Sequence, residues 1–266
     1  MIIDVHTHAF PDHLAARAMA QLQAGTDEVK AVLDGTTGAL LRSMDGAGVD
    51  ASVVASIATR PEQFEPILRW SAAIRSSRLV PFPSVHPAAP EGVEQVRRLA
   101  AEGFRGIKLH PYYQQFTVDE PRLEPVYQAL AECGLVLLLH CGFDISFPRD
   151  RVADPVRLRR VVERFPNLRL VAAHLGAWRD WDEVERHLVG QPVYFDISTS
   201  FEFMDRAQAE RILRRHPADR LLFGSDSPWM DQQRTIENLR TFGLGREIEA
   251  QVLGGNAATL LGLSQA

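Results

Sequence analysis

The sequence predicts an α/β protein folded as a single-domain (β/α)8 TIM barrel over residues 1–266. Three observations lead there. Short aliphatic or β-branched runs alternate with longer segments of helical period, the pattern of βα units that build a parallel sheet. Eight such alternations fit the length of the chain, close to the size of a closed eight-stranded barrel. No G-x-G-x-x-G or G-x-x-x-x-G-K-[ST] loop follows any run, so an open doubly wound nucleotide-binding sheet has no anchor.

The strands are expected at IIDVH (2–6), ASVVASI (51–57), LVPFPSV (79–85), GFRGIKLH (103–110), LVLLLH (135–140), LRLVAAH (168–174), VYFDIS (193–198) and RLLFGSD (220–226). Several are apolar at consecutive positions, as strands buried on both faces are. Helical segments lie between them at 38–47, 61–76, 91–102, 121–133, 154–165, 180–188, 205–216 and 231–242. Pro or Asp opens many of these, as helix starts prefer. The stretch from Ala9 to Thr37 exceeds a minimal βα loop and is expected to form a flap over the barrel mouth.

Composition narrows the function classes. With 45% hydrophobic and 24% charged residues the chain is an ordinary globular one. A net charge of −5 argues against a general nucleic-acid binder. The two cysteines, Cys133 and Cys141, form no CxxC pair, which excludes a disulfide framework and a cysteine zinc ribbon and suits a reducing compartment. No run approaches the ~20 apolar residues of a membrane span, so the expectation is a cytoplasmic protein with a small-molecule substrate, no membrane or nucleic-acid partner, and a homodimer as the commonest assembly. All but two of the 29 basic residues are Arg, which makes the exceptions, Lys30 and Lys108, conspicuous.

The polar residues fall at strand tips. By alternation Asp4, His6 and His8 share one face of the first strand, and imidazoles at i and i+2 project the same way about 7 Å apart. His140, His174 and Asp226 each end a later apolar run. Parallel barrel strands end on one face, where such barrels place their chemistry, so His6, His8, His140, His174 and Asp226 should meet there. Burying these groups unpartnered would cost several kcal/mol, whereas a divalent cation satisfies the nitrogens and the carboxylate together. A donor set without thiolate suits zinc, and equally manganese, iron or cobalt. His13, His187 and His216 lie in helices, loops or a helix end, where solvated histidines are expected; His86 is intermediate.

In order, the segments IDVHTH, GIKLHPYY, LLLHCG, RFPNLRLVAAHLGA, RLLFGSDSPW and LGGNAATLLGL resemble the amidohydrolase superfamily. The nearer likeness is to the branch containing aminocarboxymuconate-semialdehyde decarboxylase and small metal-dependent hydrolases, and it runs from Ile2 to about Leu263. The resemblance implies that His6, His8, His140 and Asp226 ligate a divalent cation, foremost Zn2+ with Mn2+, Fe2+ or Co2+ as alternatives, and one ion rather than two. It makes His174 either a ligand of a second ion or an unligated acid/base. Binuclear relatives carry a carboxylated lysine or a glutamate on the fourth strand, where Lys108 and His110 share a face. Lys108 then has three readings: a carboxylated bridge, a cation for a substrate carboxylate, or a counter-charge for buried carboxylates, the last two preferred.

The expected activity is hydrolysis of an ester, lactone or amide bond of a small molecule by a metal-activated water. Asp226 would take the proton, His174 would polarise the carbonyl, and Lys108 would complete the catalytic set. Asp4 would orient a ligand histidine, while Arg149, Arg151, Tyr112, Tyr113 and Trp178 would shape a pocket for an anionic or aromatic substrate. The alternative is a metal-dependent, non-oxidative decarboxylase of a small unsaturated or aromatic acid.

Overall fold

In the computed structural model, which describes residues 1–263, eight parallel strands close a (β/α)8 barrel. The last three residues of the expected 1–266 unit lie outside the described residues. The first arc joins β1 (Ile3–Thr7), β2 (Ala51–Ala55) and β3 (Leu79–Phe82). The second joins β4 (Gly106–Leu109), β5 (Val136–Leu139), β6 (Arg169–Ala172), β7 (Tyr194–Asp196) and β8 (Leu221–Leu222).

Two seams complete the ring. Between β3 and β4 the Lys108 N–H donates to the Pro83 carbonyl at 2.9 Å. Pro81 and Pro83 have no amide hydrogen of their own, which thins the ladder there. Between β8 and β1, Val5 N–H donates to Phe223 O (2.9 Å), Asp226 N–H to His6 O (2.7 Å) and His8 N–H to Ser227 O (2.6 Å). This second seam laces the His6–His8 end of β1 to Asp226 through backbone bonds.

Side-chain alternation explains the unbroken apolar runs. In β5, Val136 and Leu138 belong to the cluster inside the barrel, with Val53, Phe82, Val171 and Leu222. Leu137 and Leu139 belong to the larger layer beneath the helices, with Leu99, Leu130, Leu158 and Ile212. Helix α12 (Asn256–Leu261) adds Ala257, Leu260 and Leu261 to the inner cluster.

The helices follow the expected order: α2 (Thr37–Ala47), α3 (Phe64–Ile74), α4 (Gly92–Ala101), α6 (Glu124–Cys133), α7 (Pro155–Arg164), α8 (Trp181–His187), α9 (Arg206–Arg215) and α10 (Gln232–Arg240). Asp154, Asp205 and Asp231 cap α7, α9 and α10 with side-chain bonds to free amides. The expected helices at 61–76 and 121–133 each start with a 3-10 turn, and short helices α5 (Pro111–Gln114) and α11 (Arg246–Ala250) are additional. The stretch after β1 forms α1 (Asp12–Gln23) and a return arm. Phe10 N–H to Gly35 O (2.8 Å), Val32 N–H to Pro228 O (2.8 Å) and an Arg179–Glu28 ion pair tie it over the barrel mouth as a flap. Among the described residues, no helix is long and apolar enough to cross a membrane.

The strands are shorter than their apolar runs. Beyond β6 and β8 the chain turns sharply, with His174, Leu175 and Asp226 at φ 63°, 50° and 67°. The alternation of β1 is also interrupted: Asp4 pairs with Ser52 but Thr7 with Val54, so β1 carries one extra residue, a bulge. Between β5 and β6 the ladder continues past the strand ends, with Trp178 N–H to Cys141 O (2.8 Å) and Phe143 N–H to Trp178 O (3.0 Å). Gly142, at φ 85°, permits this approach; a Cβ there would land on the Trp178 backbone. Gly142→Ala should destabilise the protein by about 3 kcal/mol in urea unfolding, against about 1 kcal/mol for Gly48→Ala, where positive φ is the whole cost because the space is open. Equal losses would mean the approach of the two segments is not tight.

Candidate metal centre

His6 and His8 leave the bulged end of β1 with their Nε2 atoms 3.3 Å apart. Asp226 Oδ1 lies 3.5 Å from the first and 3.3 Å from the second. The outer ring nitrogens decide where the hydrogens are. His6 Nδ1 is 3.0 Å from the Asp196 carboxylate, and His8 Nδ1 is 2.9 Å from the Ala55 carbonyl oxygen. Both acceptors call for N–H at Nδ1, which leaves a bare lone pair at each Nε2. Two lone pairs and a carboxylate oxygen thus converge with no hydrogen between them, a repulsive arrangement that a divalent cation resolves. The residues present therefore fit a cation.

His140 and His174 repeat the pattern. His140 Nε2 donates to Phe143 O at 3.0 Å, and His174 Nδ1 lies 3.1 Å from Ser198 O. Their inward atoms, His140 Nδ1 and His174 Nε2, are 3.1 Å apart. A shared proton or a cation satisfies that pair. Lys108 Nζ is 3.0 Å from His6 Nε2 and so donates into the same cluster.

Burial, with Lys108 beside it, lowers His6 to about 4, so the ring stays neutral as ligation requires. Burial also holds His140 well below its ordinary value, helped by His110 and His174. Lys108 is lowered to about 8 by burial, against the opposing pull of Asp226 and Asp196. Burial would raise the Asp196 carboxyl, but the His6 bond and those from Ser198 hold it well below the usual range. Asp226 receives the Thr199 hydroxyl at 2.9 Å.

Asp196 and Ser198 organise this cluster. One Asp196 oxygen takes His6 Nδ1–H; the other takes the backbone N–H groups of His174 (3.1 Å) and Ser198 (3.0 Å) and the Ser198 hydroxyl. The left-handed backbone at His174 costs about 1–2 kcal/mol for a residue with a Cβ, and the bond to Asp196 helps to hold it. One buried carboxylate therefore sets both the tautomer of His6 and the turn that presents His174.

Above the cluster opens a cavity of about 500 Å³. The floor carries His6, His8, Lys108, His110, His140, His174 and Asp226; Phe10, Ile57, Trp70, Tyr113, Trp178 and Trp229 are among the walls, and α1 contributes Leu14 and Leu22. The sequence-predicted residues thus gather at one rim. His6, His8 and Asp226 form one triad able to hold an ion, while the expected fourth ligand, His140, faces His174 and also adjoins His110 and Asp144.

Several expectations are corrected. Asp4 touches no imidazole; it accepts from the His6 N–H, from Ser225 and from Gln232 at the start of α10, because the bulge turns it away from the cluster. Burial raises Asp4 to about 6. Tyr112 does not line the cavity, its hydroxyl being used on the Gly142 and Asp150 carbonyls. Arg149 and Arg151 also stay outside, the first over the Phe143 ring and the second paired with Asp180. His216 is buried rather than solvated, stacked on Phe195 with Nε2 bonded to Val193 O. His13 is exposed and His187 half-buried beside Glu183, as expected of solvated histidines.

A family model described as Amidohydrolase matches residues 3–263. The chain belongs to the amidohydrolase family. A dihydroorotase of Pseudomonas fluorescens (strain Pf0-1) is 35% identical over 92 residues, a stretch covering 31% of this chain and only 26% of that one. Two solved folds are closely similar throughout. The 5-carboxyvanillate decarboxylase LigW of Sphingomonas paucimobilis has a TM-score of 0.72 at 17% identity over 99% of each chain. A 5-carboxyvanillate decarboxylase of Novosphingobium aromaticivorans, solved with manganese and 4-hydroxy-3-methoxy-5-nitrobenzoic acid, has a TM-score of 0.71 at 16% identity over 99% of this chain and 96% of that one.

In this amidohydrolase the sequence reading missed Asp196, Ser198 and Asp144. The first two had a signal: Tyr194, Asp196 and Ser198 alternate along VYFDIS, so a carboxylate and a hydroxyl share the face pointing toward the cluster. Asp144 lies in a loop, where no periodicity marks it. Asp196→Asn should weaken zinc binding about 10–100-fold in a chelator competition titration, because the amide no longer holds His6 in its Nδ1–H form. Unchanged affinity would remove Asp196 from the cation site.

Proposed function

We propose that the protein is a metal-dependent, non-oxidative decarboxylase of a small aromatic or unsaturated carboxylic acid. The observation that carries this reading is an aromatic-walled, largely apolar cavity of about 500 Å³ closing on a floor of imidazoles, Asp226 and Lys108. The decarboxylases of like fold support it over the expected hydrolase. His6, His8 and Asp226, joined by His140, would hold one divalent cation. Zinc is proposed, with manganese the first alternative. When bound, the cation supplies Lewis-acid polarisation of the substrate's oxygen atoms.

The remaining work falls to the chain. Lys108 offers positive charge to the substrate carboxylate from the floor. His174 is oriented by Ser198 at Nδ1, so its Nε2 faces the cluster and, in the protonated ring, carries the proton to be transferred. It delivers that proton to the carbon that loses the carboxyl group: the carbon–carbon bond pair becomes the new carbon–hydrogen bond, and CO2 leaves. The flap and the apolar walls exclude water, which favours the loss of charge as carboxylate becomes CO2.

A second reading is hydrolysis of a cyclic amide, in which two cations would be held with a carboxylated Lys108 among the donors and would supply an activated water. It draws on the second facing pair, His140 and His174, and on the dihydroorotase likeness. The two readings separate in one experiment, elemental analysis of purified protein together with an assay of CO2 release over a panel of aromatic and unsaturated acids. One ion per chain with CO2 released from a panel member is expected; two ions per chain with amide hydrolysis and no CO2 would overturn the proposal. His174→Gln should retain the ion but lose about 100-fold or more in CO2 release, the contribution of a positioned proton donor. Full activity in that variant would place the donor elsewhere.

A further inference from the structure

The wall beside His140 carries a polar pair that the proposed mechanism does not use. Asp144 lies in the loop after β5, where its Oδ1 accepts the Ser146 N–H at 2.8 Å, an Asx turn that fixes the carboxylate. Its Oδ2 is 3.4 Å from His110 Nε2 and 3.9 Å from His140 Nε2. The His140 N–H is already committed to the Phe143 carbonyl. Among the described residues, the ion-pair partners of Asp144 are these two histidines alone, with no lysine or arginine. Yet the side chain is only 10% exposed and lines the cavity.

His110 is set by a framework of its own. Its backbone N–H donates to Gln114 Oε1 at 2.8 Å, and the Gln114 amide reaches the Ala58 and Val85 carbonyls at 2.9 Å each. The ring stacks on His140 with centroids 4.1 Å apart and meets Tyr113 edge-on at 4.7 Å. Its Nδ1 is buried without a partner, and its Nε2 faces Asp144 Oδ2 at 3.4 Å. Asp144 Oδ2 therefore stands on the cavity wall facing two imidazoles at 3.4 and 3.9 Å with no lysine or arginine paired to it, an acceptor open to a donor from the cavity.

We infer that Asp144, seated against His110, is a specificity subsite that accepts a hydrogen bond from a hydroxyl or amino substituent of the substrate and rejects a second carboxylate. A neutral donor completes the oxygen's bonding, whereas a second anion would meet like charge in a low-dielectric cavity. The inference rests on the reading that a small acid occupies the cavity.

The test is calorimetric binding to zinc-loaded protein of benzoate, its hydroxy-, amino- and methoxy-derivatives at each ring position, and isophthalate. At least one hydroxy or amino acid should bind about tenfold tighter than its methoxy counterpart, with isophthalate weakest. In Asp144→Ala that preference should fall to about one, isophthalate should gain, and benzoate should stay within about twofold, which also reports an intact cavity. A preference that survives in Asp144→Ala, or no binding by any hydroxy or amino acid, overturns the inference. Assaying the same acids for CO2 separates the two proposals. An Asp144-dependent preference without CO2 release leaves the subsite and removes the decarboxylase; CO2 release with an Asp144-independent preference does the reverse.

Discussion

The site depends on where four imidazoles keep their hydrogens. Each of His6, His8, His140 and His174 has its outer nitrogen against a fixed acceptor: a carboxylate, two backbone carbonyls, and the Ser198 carbonyl with its hydroxyl. All four inward nitrogens are thereby turned into the cluster, where Lys108 donates to His6 Nε2 at 3.0 Å and the remaining approaches of 3.1–3.3 Å call for a cation or a proton among them. The barrel, its seams and the strained turns serve that single arrangement. The hydrogen-bonding pattern of the cluster thus fits a cation.

The fold supplies the acceptors through backbone geometry. The seam between β8 and β1 brings Asp226 to His6 and His8 by main-chain bonds, so these side chains stay in register whatever the loops do. The left-handed residues His174, Thr199 and Asp226 depart from the sheet where side chains must converge instead of alternating. Strain collected at these positions is offset by local bonds, of which those to Asp196 link two strands at once. Opposite this rigid floor, the flap built on α1 lends apolar side chains to the cavity, and an apolar enclosure above a charged floor suits a reaction that removes charge from its substrate.

Much of this was legible in the chain. The eight apolar runs located every strand; His6, His140, His174 and Asp226 stood out because each ends such a run, and His8 because it lies two residues beyond His6. What misled was strict alternation: the bulge in β1 turns Asp4 to Ser225 and Gln232, and no residue between Asp4 and Thr7 announces it. Asp196 was hidden by reading VYFDIS for its strand propensity and not for its inward face. Loop residues resisted altogether, since Arg149, Arg151 and Tyr112 on one side and Asp144 on the other look alike until the turns are known. His216 was misjudged because a helix end suggests solvent, whereas packing against Phe195 decides its burial.

Anomalous diffraction at the zinc edge, from crystals grown with zinc and without chelator, tests the central claim most directly. The account predicts a strong peak among His6 Nε2, His8 Nε2 and Asp226 Oδ1, at about 2.0–2.2 Å from each. A featureless cluster under those conditions, or a peak bound only by surface residues, would contradict it.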